Sequence, residues 1–197
     1  QQISPLPYAS HNECFSYGEE LADFFSQIPN FKTYNISLNG EKLSKPYSDE
    51  FEIGTNKTSN IKKIKKLTFT NTETGKMIGL GWFAITPFNS SLPKSLTMRG
   101  IRVKHGNIEV GDDRFLDHIY AERRFATWHI GEIHLNHNIK PNARRDGFEQ
   151  SKDYECFLER ATFIGKALSK LCRQASINRC ANQRAILELS QVEKVTN

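Results

Sequence analysis

The run Pro141-Asn142-Ala143-Arg144-Arg145-Asp146-Gly147-Phe148-Glu149-Gln150-Ser151 carries the strongest chemical signal in the chain. Arginine keeps its charge and presents a rigid fork of donors, which suits a phosphate group. Adjacent arginines in a loop, fixed by Pro141 on one side and Phe148 on the other, could steady the charge that develops on a transferred phosphoryl group. The plainer alternative is an ion pair of Arg144 or Arg145 with Asp146 or Glu149 that merely holds the loop. On side-chain chemistry alone, that is the simpler reading.

Other residues with chemical capacity are less well arranged. His129, Glu132, His134 and His137 crowd one expected strand and its exit. Strand alternation puts His129 and His137 on one face and Glu132 and His134 on the other, so they do not converge on a tetrahedral metal site. Polar residues that hydrogen-bond within the fold are the expectation. Lys62, Lys63, Lys65 and Lys66 interleave with Ile61, Ile64 and Leu67. They suit either a nucleic-acid backbone or a solvated sheet edge that resists aggregation. Trp82, Phe83 and Trp128 could line a surface for a protein client, although such residues more often form core. The phosphate-cradling G-x-x-x-x-G-K-[ST] run is missing, Gly79-Leu80-Gly81 lacks the rest of a dinucleotide fingerprint, and no Gly-x-Ser-x-Gly elbow occurs.

The elements that must position these groups follow from periodicity. Gly18 to Gln27 reads as a short helix. Phe31 to Leu38 and Lys42 to Tyr47 read as strands joined by Asn39-Gly40, a type I′ turn signal. Ser48 to Asn60 is polar and reads as a loop. Ile61 to Thr70 and Lys76 to Pro87 form a hairpin about Asn71-Thr72-Glu73-Thr74-Gly75. Gly100 to His105 and Asn107 to Val110 read as strands, Asp112 to Glu122 as a short helix or irregular stretch, and Arg124 to Asn136 as a further strand. From Ser151 a helix opens with Tyr154, Phe157, Leu158, Ala161, Ile164, Leu168, Leu171 and Ala175 on one stripe. Ser176 to Asn178 should break or bend it before a second helix from Arg179 to Val195. This order is an α+β or α/β arrangement: a mixed or antiparallel sheet with helices on one face, followed by long C-terminal helices.

Composition sets the bounds. The chain has 197 residues with 38% hydrophobic and 25% charged content, ordinary for a folded domain. No stretch reaches the ~18 apolar residues of a membrane span, and no signal peptide opens the sequence, so no membrane partner is expected and a cytoplasmic location is. The four cysteines, Cys14, Cys156, Cys172 and Cys180, form no CxxC pair and are expected as reduced thiols. A net charge of +5 permits nucleic-acid contact without requiring it. The chain starts Gln1-Gln2 rather than with Met, which leaves room for a domain upstream.

The run Ile130-Gly131-Glu132-Ile133-His134, followed by Asn142, Arg145, Asp146 and Gln150-Ser151-Lys152, resembles the middle domain of the heat-shock protein 90 chaperone family. More closely, it is similar to bacterial GHKL-type ATP-binding proteins. In that family a strand leads to an Asn, two residues, an Arg, an acidic residue, and a Gln-Ser-Lys helix start. Gly100 to Val110 and the hairpin Leu67 to Pro87 resemble the preceding strands. The likeness covers roughly residues 60 to 176. It implies a ribosomal-protein-type transducer fold, as in gyrase B and MutL. It also implies that Arg145, supported by Arg144 and Asn142, contacts the γ-phosphate of ATP held in a separate N-terminal ATPase domain. ATP and Mg would then act in the intact protein and neither in this fragment, which lacks an Asp-x-Gly-x-Gly run and a glycine-rich lid. A homodimer and a protein client are further implied partners. One departure stands out: the chaperones place a glutamine four residues after the arginine, and here that place is Glu149. The resulting division is 1–60 as a helix, hairpin and linker, 61–176 as the middle domain, and 177–197 as a helical extension.

Overall fold

In the computed structural model, residues 5–10, 14–29, 31–88 and 90–195 are described, the last stretch from 185 onward as backbone alone. The order is α1 (Gly18–Ser26), β1 (Ile36–Leu38), β2 (Glu41–Leu43), β3 (Glu50–Gly54), β4 (Lys57–Asn60), β5 (Lys63–Thr70), β6 (Met77–Ile85), β7 (Gly100–His105), β8 (Ile108–Val110), two 3-10 turns (Asp117–Ile119 and Arg123–Trp128), β9 (Ile130–Leu135) and α2 (Lys152–Val195). Five strands form the main sheet in the order β5-β6-β9-β7-β8. β9 runs antiparallel to β6 and parallel to β7, so the sheet is mixed and the class is α+β.

The hairpins form where turn chemistry demands them. Asn39 and Gly40 have φ of 53° and 85°, the positive pair of a type I′ turn. Asn71 closes the β5–β6 turn by accepting the backbone N–H of Glu73 at 2.8 Å and of Thr74 at 3.0 Å. β1 and β2 are shorter than expected because the flanking residues pair elsewhere. Tyr34 N–H donates to the Pro5 carbonyl at 2.9 Å and Lys45 N–H to the Pro7 carbonyl at 2.8 Å.

Three expectations are corrected. Residues 48–60 hold the antiparallel β3–β4 hairpin rather than a plain loop. Phe51 is buried against the core and Asn56, at φ 56°, makes the turn, so the polar composition concealed an alternating strand. The stretch expected as a strand from Arg124 starts as the second 3-10 turn, which buries Phe125 and Ala126 on one side. α2 passes through Ser176 and Asn178 without a break. Neither is Gly or Pro, their helix cost is only a few tenths of a kcal/mol, and Gln174 donates to the Asn178 side chain at 2.9 Å one turn on. Residues 196 and 197 of the expected extension lie outside the described residues.

The sheet is covered on both faces. On one, Phe157, Ala161, Leu168 and Cys172 of α2 pack against Phe69, Val103, Ile133 and Leu135. On the other, Phe15, Leu21, Phe25 and Tyr47 pack against Leu80, Trp82, Ala84 and Ile130. Among the described residues, Tyr8, Phe15, Leu21, Phe25, Tyr47 and Phe51 of the N-terminal segment thus share a core with the sheet. α2 comes close enough to the first 3-10 turn that a Cβ at Gly165 would lie 2.6 Å from both Cγ1 and O of Ile119, so only glycine fits that crossing. Ser151 caps α2, its hydroxyl accepting the Tyr154 N–H at 3.2 Å, with Asp153 and Glu155 in the first turn favouring the positive helix end.

Candidate functional site: the arginine loop

The loop between β9 and α2 is pinned at each step. Pro141 and Phe148 form an antiparallel bridge, and Glu149 N–H donates to the Lys140 carbonyl at 2.9 Å. Inside that neck Asn142 is the keystone. Its side-chain amide donates to Asp146 at 2.7 Å and its side-chain oxygen accepts the Asp146 N–H at 3.2 Å. Its backbone N–H reaches the Gly147 carbonyl at 2.9 Å and its carbonyl accepts from Arg145 at 3.0 Å. A further backbone bond, Gly111 N–H to the Arg145 carbonyl at 2.8 Å, ties the loop to the end of β8.

The arginines are therefore held by backbone and amide contacts. Among the described residues neither pairs with a carboxylate: Asp146 is taken by Asn142, and Glu149 is exposed without an ion pair. The ion pair weighed as the simpler reading is not what fixes the loop. Arg144 is exposed. Arg145 is half-buried, sits in the left-handed region at φ 55°, and extends its guanidinium to 3.5 Å from the His105 carbonyl. Its Nε is shut away from solvent with no acceptor. A left-handed arginine costs on the order of 1 kcal/mol, and a buried donor of a charged group without an acceptor costs about 1–3 kcal/mol or more. Burial, and then the Arg145 charge, lower the His105 pKa.

Sequence reasoning did not find a densely connected buried polar cluster centred on Glu132. Glu132 on β9 lies fully buried on the face covered by the N-terminal segment. Its carboxylate accepts from Lys45 at 2.6 Å, Lys104 at 2.8 Å, His134 Nε2 at 3.0 Å and the Tyr8 hydroxyl. Trp82 Nε1 donates to the same hydroxyl at 3.2 Å. Burial alone would raise the Glu132 pKa, but Lys104 and Lys45 hold it well below the usual carboxylate range. Burial pulls Lys45 down to about 7, and burial with the Lys45 charge pulls His134 down to about 3. Alternation along β9 marked Glu132 and His134 as sharing a face. Nothing in the sequence marked Tyr8, Lys45 or Lys104 as their partners, because those contacts are made across distant chain segments.

The remaining candidates take structural places. His129 lies on the opposite face, where its Nε2 is 3.5 Å from the Cys172 sulfur; burial holds the imidazole down to about 3 and pushes the thiol up to about 12. Both are uncharged, which suits packing and not nucleophilic attack. Trp82 and Phe83 are buried in the two cores and Trp128 is partly buried against one, so the expected client surface of these aromatics is core instead. β5 is an edge strand with Lys63 and Lys65 exposed, while Lys66 pairs with Glu20 at 2.8 Å. Among the described residues no three His, Cys, Asp or Glu side chains gather as metal ligands, and no helix is long and apolar enough to cross a membrane. The chain matches no model of a known protein family and no curated protein.

Proposed function

We propose that this chain is a middle, or transducer, unit of a GHKL-type ATPase of the heat-shock protein 90 kind, and that its 142–146 loop gives Arg145 to the γ-phosphate of ATP held in a separate N-terminal domain. The observation that carries this reading is the state of Arg145: a guanidinium without a carboxylate partner, with a buried Nε lacking an acceptor, on a pinned loop. A γ-phosphate offers acceptor oxygens to the N–H groups of this fork that the His105 carbonyl does not take, and to Nε once the side chain turns outward. Arg144, exposed beside it, adds positive charge that draws the nucleotide's phosphates in, and Asn142 holds the loop's shape. Bound ATP with Mg supplies the transferable phosphoryl group; this chain's residues orient it and stabilise its charge. In this reading a cytoplasmic location, a homodimer of the intact protein and a protein client follow from the resemblance.

Arg145→Ala in the intact protein is expected to lower ATP turnover at least about tenfold, a cautious floor for a lost arginine finger. Asn142→Ala is expected to lower it less, by loosening the loop. A second reading, nucleic-acid binding, is favoured by the exposed Lys62, Lys63 and Lys65 at the sheet edge. It requires salt-dependent binding to DNA or RNA, and no binding at low salt would remove it.

A further inference from the structure

β5 is one edge of the main sheet and is eight residues long, whereas β8 at the other edge has three. Among the described residues its backbone pairs with β6 alone, so alternate N–H and C=O groups along its outer side stand open. A groove runs along that side, between the strand and α2. Thr68, Thr70 and Thr72 form one wall, and Glu159, Arg160 and Phe163 line the other. Phe163 is 66% exposed, with the Arg160 guanidinium 5.6 Å from its ring centre. α2 lies lengthwise beside the hairpin. Asp153 in its first turn accepts from the Asn71 amide at 2.6 Å, and Arg179 donates to the Phe88 carbonyl at 3.0 Å, past the end of β6. A strand seated outside β5 would therefore have the helix along its flank.

The charge along the groove selects its occupant. Lys63 and Lys65 are exposed on β5, with Lys62 just before it. Three- and four-residue spacing carries the α2 face of Arg160 and Phe163 on to Lys166 and Lys170, both exposed. Against these cations the groove lining holds one carboxylate, Glu159. A second copy of the chain, paired β5 to β5, would set two lysine runs about 4.8 Å apart with like charges opposed. A nucleic acid would meet the lysines, but its phosphates only accept hydrogen bonds and would leave the open C=O groups unpaired. An extended peptide with acidic residues answers both the charge and the ladder. We propose that β5 takes an extended acidic segment of a partner protein as a sixth strand of the sheet, its carboxylates facing Lys63 and Lys65 and its apolar end resting on Phe163. This does not depend on the arginine-loop reading.

The probes are two fluorescein-labelled peptides of about the length of β5, Glu-Thr-Glu-Thr-Val-Thr-Val-Thr and its reverse, since either chain direction can add to an edge. At least one should bind the chain saturably by fluorescence anisotropy. Replacing its glutamates by lysines should weaken binding at least about tenfold. N-methylating one alternate set of its residues should do the same, and N-methylating the other set should not, because only one edge of an added strand faces β5. No binding of either peptide, or equal binding of the two N-methylated forms, would overturn the proposal. So would tighter binding of an oligothymidylate, or a concentration-dependent dimer of the chain in which the β5 amides exchange slowly. The paired substitution Lys63→Glu with Lys65→Glu, at exposed positions, should lower affinity for the acidic peptide at least about tenfold. If that variant does not fold by circular dichroism, the N-methylation pair on the unmodified chain decides alone.

Discussion

A single carboxylate, Glu132, receives two lysines, a histidine and a tyrosine with almost no solvent contact. Taking these charges out of water costs several kcal/mol per ion, and removing one partner of such a buried group costs about 3–5 kcal/mol. Lys45 makes this cost visible in the pH dependence. Its folded pKa, about 7, lies below the ordinary lysine value, so between the two the unfolded chain binds more protons and stability rises with pH. Denaturant titrations from pH 7 to 10 should show that rise, up to about 1.4 kcal/mol per pH unit from this group. Lys45→Met should flatten it, and an equal slope in the variant would remove Lys45 as its source. Cys172 gives a second test at this scale. Packed on His129 with its thiol pushed up to about 12, it should resist Ellman's reagent in the native protein while the exposed Cys14 and Cys180 react. Prompt labelling of Cys172 would contradict its burial.

At the scale of elements, α2 meets the first 3-10 turn at Gly165, and the close approach to Ile119 leaves no room for a side chain. Gly165→Val should lower stability by roughly 1–3 kcal/mol through overpacking, read as a lower urea midpoint; an unchanged midpoint would mean that the crossing is looser than described. What could be read from sequence at this scale divides by whether the signal is local. Asn39-Gly40, the β5–β6 hairpin and most of the α2 stripe were readable because turn residues and periodicity lie within a few positions of each other; Leu171 of that stripe is exposed, and Cys172 is buried beside it instead. β3–β4 was not, since one buried Phe51 among Ser, Thr and Asn residues does not announce a strand. The 3-10 turn ahead of β9 was hidden by Phe125 and Trp128, which look equally apolar in a strand. The arginine loop was readable as a motif. Its fixing by Asn142, and the orphaned Arg145 Nε, depend on geometry that no spacing reveals.

For the whole molecule, the sheet mediates between two cores. The N-terminal segment is clamped to one face by Lys45 and Tyr8 on Glu132, and by the Lys32 carbonyl on Asn107. The arginine loop is tied to the β7–β8 hairpin through Gly111 and His105. The N-terminal segment and the arginine loop thus both rest on the β7–β8 hairpin, one through Asn107 and the other through His105. The central claim is that Arg145 acts on a nucleotide held outside this chain. It is tested most directly by measuring ATP turnover at saturating nucleotide, and ATP affinity in parallel, for the intact protein and its Arg145→Ala variant. The account predicts turnover at least about tenfold lower with binding largely retained; wild-type turnover in the variant would contradict it.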